Sequence, residues 1–230
     1  MIALWRKSLE SETCMARRKS EAGLSNLSVD LALVFAVDVS SSVDSGDYKL
    51  QMDGIAAALR KPLTLQYVQA GPNQKIAISV VQWSSVKKQV VTLEWQILGD
   101  DTAIEAVARK IETQQRQWSP GGTGMAAALV FCVGHLKAFP LPARRKLIDV
   151  SGDGEDNENG NVPLARAAAL ANHITINGLP IISGSKLIQA YYHDKIIGGP
   201  GSFIEPAENV LAFGAAMERK LLRELQDLSS

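Results

Sequence analysis

Two carboxylates and three hydroxyls in this chain have the types and spacing to act on a common point. Asp38, Ser40 and Ser42 alternate in Asp38-Val39-Ser40-Ser41-Ser42. Residues two apart point the same way in an extended turn, so this stretch offers one carboxylate and two hydroxyl oxygens in one direction. Thr123 adds a hydroxyl from the glycine-rich run Ser119-Pro120-Gly121-Gly122-Thr123-Gly124, and Asp153 adds a second carboxylate after the apolar segment Lys146 to Ser151. An oxygen-only donor set suits a hard cation such as Mg²⁺ or Mn²⁺, whereas zinc or copper would want His or Cys.

Such residues need a scaffold that brings three distant segments together. Leu31 to Val37 is an apolar run ending at Asp38, and reads as a strand buried on both faces. Asp44, Ser45 and Asp47 then start a helix in which Tyr48, Met52, Ile55, Ala56 and Leu59 recur at helical spacing up to Pro62. Lys75 to Trp83 is the next strand, Gln89 to Trp95 an antiparallel edge partner, and Asp100 to Gln114 a helix. The glycine-rich run opens a helix through Leu136, closed by Pro140 and Pro142. The remaining expectations are a strand over Lys146 to Ser151, a helix over Pro163 to His173 and a strand over Thr175 to Ser183. A short helix over Lys186 to Asp194, a brief strand over Ser202 to Glu205 and a closing helix over Ala207 to Leu225 complete them. This order predicts an α/β fold: a Rossmann-like, doubly wound, mostly parallel sheet with helices on both faces. Asp38, Thr123 and Asp153 all fall where strands hand over to helices, the edge at which open parallel sheets bind ligands.

Composition excludes several function classes. The 230 residues carry 24 Lys+Arg against 24 Asp+Glu, so the basic excess of a sequence-independent nucleic-acid binder is missing. Cys14 and Cys132 lie far apart and away from any His cluster, which argues against a zinc site or a disulfide scaffold. Residues 1–26 mix charges with a short apolar run, Ile2 to Trp5, too brief for the roughly 7–15 residues of a secretory core. They read as a disordered leader or short helix ahead of a single domain over 27–230. On that basis the chain as written is cytoplasmic, or periplasmic or secreted if its true start lies elsewhere. No run approaches the roughly 18 apolar residues of a membrane helix.

The discontinuous set of Asp38, Ser40, Ser42, Thr123 and Asp153 is similar to the metal-ion-dependent adhesion site (MIDAS) of von Willebrand factor type A domains. The phrases Val29-Asp-Leu-Ala-Leu-Val-Phe-Ala-Val-Asp-Val-Ser-Ser-Ser-Val-Asp44, Ile148-Asp-Val-Ser-Gly-Asp-Gly154, Ile174-Thr-Ile-Asn-Gly-Leu-Pro180 and Ile197-Gly-Gly-Pro-Gly201 resemble a bacterial subfamily of such domains, DUF1194. The resemblance implies a domain that binds a divalent cation through those five residues and engages a protein partner, often through a partner carboxylate. With two protein carboxylates the cation keeps net positive character toward an acidic group. The chain departs from the family pattern at Ser41, where Gly is frequent, at Met125 and Ala126, and at His193-Asp194-Lys195. The reading is a non-enzymatic, monomeric module with no nucleic-acid partner and no membrane insertion.

The enzymatic alternative is a haloacid-dehalogenase-type phosphatase, matched by Asp38 after the first strand and by Gly152-Asp-Gly-Glu-Asp-Asn157. That chemistry needs a second acid two residues after the nucleophile, and Ser40 stands there. A calcium-loop reading from Asp149 lacks its closing Glu at Gly160, and the glycine-rich run lacks the Lys of a phosphate-binding loop. Asp149 reads as a structural carboxylate, residues 156–159 as a solvated loop, and His135, His173 and His193 as isolated surface or core residues.

Overall fold

The computed structural model describes residues 28–182 and 187–229. The expectation for residues 1–26 therefore lies outside the described residues. Five strands, β1 (Val29–Asp38), β2 (Ile76–Trp83), β3 (Gln89–Leu98), β4 (Ala143–Gly152) and β5 (Ile174–Pro180), form one sheet in the order β3-β2-β1-β4-β5. All neighbours are parallel except β3, which pairs antiparallel with β2 at the edge. The chain moves outward from β1 to β2 and β3, then returns to place β4 on the other side of β1. The resulting reversal of strand order opens a crevice beyond the carboxyl ends of β1 and β4.

Among the described residues seven α-helices cover the sheet: α1 (Ser45–Leu59), α2 (Pro62–Ala70), α3 (Asp101–Glu112), α4 (Met125–Lys137), α5 (Val162–Ala171), α6 (Leu187–Tyr191) and α7 (Phe213–Gln226). Alternation along β1 divides the core in two. Leu31, Leu33, Phe35 and Val37 pack with α1, α2, α3 and α7, while Ala32, Val34 and Ala36 pack with α4, α5 and α6. Every residue of β1 and β2 is buried, as a strand covered by helices on both sides must be.

Several local expectations need correction. Pro62 was expected to end a helix; it begins one, occupying the first turn of α2, where its missing N–H would have had no helical partner anyway. Ser202 to Glu205 does not form a strand, and only an isolated bridge joins Ile204 to Gly178. The closing helix begins with a 3₁₀ turn, Val210–Ala212, capped by the Asn209 side chain on Ala212 N at 3.1 Å. The short helix before residue 194 continues as a π turn, Tyr192–Ile196. The strand expected over Thr175 to Ser183 runs from Ile174 to Pro180.

Gly54 sets the closest helix approach. A Cβ there would lie 2.8 Å from Phe213 Cδ1 and 2.9 Å from Gly214 Cα, so α1 and α7 meet almost backbone to backbone. Gly54→Ala is expected to destabilise by about 1–2 kcal/mol, the overpacking cost exceeding the gain in helix propensity. Urea denaturation checks this, and a stabilised variant would show that the helices can part without loss.

Candidate metal centre

β1 ends by delivering Asp38 into the crevice. Its carboxylate is fully buried, and Oδ1 accepts the Ser40 backbone N–H at 2.7 Å while Oδ2 has no hydrogen-bond partner among the described residues. The Ser40 and Ser42 hydroxyls lie 3.2 Å apart, and Ser42 Oγ donates to Asp153 Oδ1 at 2.7 Å. Alternation in the turn after β1 thus links both hydroxyls to the carboxylate that follows β4. Thr123 is also buried, and its Oγ1 lies 3.4 Å from the point a Cβ on Gly154 would occupy, beside the Asp153 loop. All five sequence-selected residues are therefore at the same end of the sheet, with Thr123 approaching from the α4 side.

Ser41 holds two of the loops together. Its hydroxyl donates to Gly121 O at 2.8 Å and accepts from Gly121 N at 2.8 Å, and its own N–H donates to Gly121 O at 3.0 Å. A glycine at 41 would lose the first two bonds. The hairpin between β2 and β3 supports the other side: Gly124 N donates to Ser84 O at 2.7 Å and Gly122 N to Ser85 Oγ at 2.7 Å.

Residues 156–159 are exposed or half-buried, as a solvated loop requires, and three of them also hydrogen-bond to neighbouring loops. Asn157 Oδ1 accepts from Thr123 N at 2.8 Å and Asn157 N donates back to Thr123 O at 3.0 Å. Asp156 Oδ2 accepts from Ala126 N at 3.0 Å, satisfying a free donor in the first turn of α4. Glu158 Oε2 accepts from Val86 N at 2.9 Å. An acidic, Asn-rich run and a glycine-rich run hydrogen-bond each other's backbones, and their proximity is a tertiary fact that spacing along the chain does not carry.

Sequence reasoning also missed Arg116. Its guanidinium donates to Val39 O at 3.0 Å and Ser40 O at 2.9 Å, fixing the backbone of the Asp38 turn from below. Burial is the largest influence on Asp38 and pushes its carboxyl up to about 7, with Asp153 adding to the rise; the Ser40 hydrogen bonds and Arg116 oppose it. Arg116 offsets only part of the burial, and a cation would supply further counter-charge.

The donor chemistry fits a hard divalent ion: a buried carboxylate oxygen without a partner, a second carboxylate reached through a hydroxyl, and further hydroxyls around them. Among the described residues no three His, Cys, Asp or Glu side chains cluster as a metal-binding group. Cys132 is buried in the core, where desolvation raises its thiol above the normal range. His135 stacks on Trp95 and hydrogen-bonds Ser79 Oγ at 2.9 Å, far from these loops in its role.

Comparison with known proteins gives a family and a fold. A family model described as "Protein of unknown function (DUF1194)" matches residues 28–229. No curated protein matches the chain. Among solved structures, proximal thread matrix protein 1 from the mussel byssus with a zinc-occupied MIDAS motif superposes with TM-score 0.62 at 14% identity, over 86% of this chain and 46% of that one. A von Willebrand factor type A protein from Catenulispora acidiphila gives 0.59 at 14%, over 87% and 43%. The PilB minor pilin from Streptococcus sanguinis gives 0.61 at 15%, over 87% and 62%. The chain thus spans less than two thirds of the length of each of these proteins, and at such identities the likeness is one of fold.

Proposed function

Since the chain belongs to the DUF1194 family and has a von Willebrand factor A-like fold, we propose that it is a divalent-cation-dependent protein-binding module. Asp38, Ser40, Ser42, Thr123 and Asp153 would hold Mg²⁺ or Mn²⁺, either directly or through water. Bound there, the ion supplies a positive site at the sheet edge, and a carboxylate of a protein partner completes its oxygen shell. Ser41, Arg116 and Asn157 keep the three loops in register, so that little reorganisation is needed on binding.

The observation that carries this reading is the fully buried, unpartnered Oδ2 of Asp38 at the strand-order reversal, in the turn whose two hydroxyls lead on to Asp153. The mussel structure with a zinc-occupied MIDAS motif supports a metal on this fold, and the all-oxygen donor set favours Mg²⁺ or Mn²⁺ here. The pilin neighbour favours a periplasmic or secreted setting. Among the described residues no helix is long and apolar enough to cross a membrane. A binding rather than catalytic role accords with Ser40 standing where a phosphatase would need an acid, its hydroxyl instead paired with Ser42.

Calorimetric titration with Mg²⁺ and Mn²⁺ tests the proposal. One saturable site is expected, with an unfolding temperature that rises with metal concentration; a hundredfold excess over Kd adds about 2.7 kcal/mol, or roughly 5–10 °C for a domain of this size. No binding and no shift would end the metal reading.

A further inference from the structure

Tyr192 is fully buried and begins the π turn that follows α6, and its hydroxyl has no hydrogen-bond partner among the described residues. Asp38 Oδ2 is likewise buried and unpartnered. Both face the same glycine: the point a Cβ on Gly152 would take is 2.8 Å from Asp38 Oδ2 and 3.0 Å from Tyr192 OH. One atom is a hydroxyl, able to donate, and the other a carboxylate oxygen, able to accept.

The ring is fitted into place rather than packed by chance. A Cβ on Gly178 would lie 2.6 Å from Tyr192 Cδ1, so Gly152 on β4 and Gly178 on β5 together open a slot in the sheet surface that the phenol fills. The π turn adds a further control on its position. The Ile197 N–H returns to Tyr192 O at 3.0 Å, and the adjacent Tyr191 OH accepts from Asp156 N at 3.1 Å, anchoring this segment to the loop that cradles Thr123. Single π turns recur where a side chain must be re-aimed at a functional site.

Resting on the metal reading above, we propose that Tyr192 is a positioning residue for the cation site: its hydroxyl donates through one bridging water to Asp38 Oδ2 and fixes the carboxylate for the ion. Ser40 N–H holds Oδ1 and Tyr192 would hold the other oxygen, so the carboxylate could not rotate away when the ion arrives. Outer hydrogen-bond partners of this kind change metal affinity by about 10–100-fold when removed.

Tyr192→Phe keeps the ring in its slot and removes only the hydroxyl. Calorimetry with Mn²⁺ is expected to show binding about 10–100-fold weaker than in the parent. Without metal, the unfolding temperature should fall slightly, because the bond that the hydroxyl makes toward Asp38 Oδ2 is lost with it. A purely structural tyrosine would lower the unfolding temperature as well but leave the Mn²⁺ affinity alone, so the affinity is the deciding readout. Mg²⁺ should also perturb the near-ultraviolet tyrosine band of the parent protein, and the signal should survive Tyr191→Phe but not Tyr192→Phe. Parent-like Mn²⁺ affinity in Tyr192→Phe overturns the inference while leaving the metal site standing, and a parent that binds no metal overturns both. Should Tyr192→Phe fail to fold, a parent whose tyrosine band does not respond to saturating Mg²⁺ overturns it.

Discussion

Replacing Lys220 by methionine is expected to cost about 3–5 kcal/mol of folding stability at pH 8, the range found when one partner of a buried ion pair is removed. Lys220 is fully buried on α7, with Nζ 2.6 Å from Asp149 Oδ1 on β4 and 2.5 Å from Glu224 Oε1 one turn along the helix. Asn177 on β5 donates to the same Glu224 oxygen at 2.9 Å and uses its own carbonyl to accept Phe203 N at 3.0 Å. Two carboxylates thus share one ammonium inside the core. Methionine fills most of the lysine's volume but leaves both acids without that cation. The loss is therefore electrostatic rather than a cavity.

The cost should depend on pH in a defined sense. Burial is the largest influence on Asp149 and raises its carboxyl, Glu224 raises it further, and Lys220 pulls it down. A group whose folded pKa exceeds its unfolded value contributes stability that is complete below the unfolded pKa and is lost as pH rises through the folded one. Removing Lys220 raises Asp149 further, so acidification toward pH 5 lets the acid take up a proton and reduces the damage. Urea denaturation of parent and Lys220→Met at pH 8 and pH 5 checks this. A penalty equal at both values would mean that Lys220 acts through packing alone.

This network marks the limit of what the chain reveals unaided. Val210, Phe213, Met217, Leu221 and Leu225 give the apolar stripe of the closing helix, and all but Val210 are buried as that spacing requires. Lys220 and Glu224 are four apart, which by itself describes an exposed ion pair on a solvated face. Only the placement of Asp149 and Asn177 on neighbouring strands turns that pair inward. Asp149 does serve structure, as its position inside a strand implied.

The candidate site divides in the same way. Alternation at Asp38, Ser40 and Ser42 is a local property, and Asp153 directly follows β4; Thr123, expected at a strand end, lies instead between α3 and α4, and its glycine-rich run is what marks it in the sequence. The residues that support them are not marked in this way. Arg116 lies in an irregular stretch without periodicity, and Asp156 to Glu158 are polar residues whose partners are backbone groups thirty or more residues earlier. Tyr192 falls four residues after buried Ile188 and four before buried Ile196, so its inward direction fits helical spacing, but that spacing does not say that its hydroxyl ends beside Asp38.

The second large effect is a change of sign. Asp38→Asn should remove cation binding and, in metal-free buffer at pH 8, stabilise the fold by about 2–4 kcal/mol. The replacement is nearly isosteric, and its side-chain oxygen can still accept the Ser40 N–H. What disappears is a buried negative charge whose carboxyl burial lifts from 3.8 to about 7. That lift means the parent without metal is stabilised by this group below about pH 4 and loses the contribution as pH rises through 7. The variant should lack this part of the pH dependence, so the two stability curves should coincide below about pH 4, separate between about pH 4 and 7, and stay a constant distance apart above that. Adding Mg²⁺ should reverse the order at pH 8, because only the parent gains from the ion. Thermal unfolding of both proteins with EDTA and with excess Mg²⁺ gives the four values required. A variant less stable than the parent in EDTA would show that the carboxylate already stabilises the metal-free fold, and that no cation is needed to balance it.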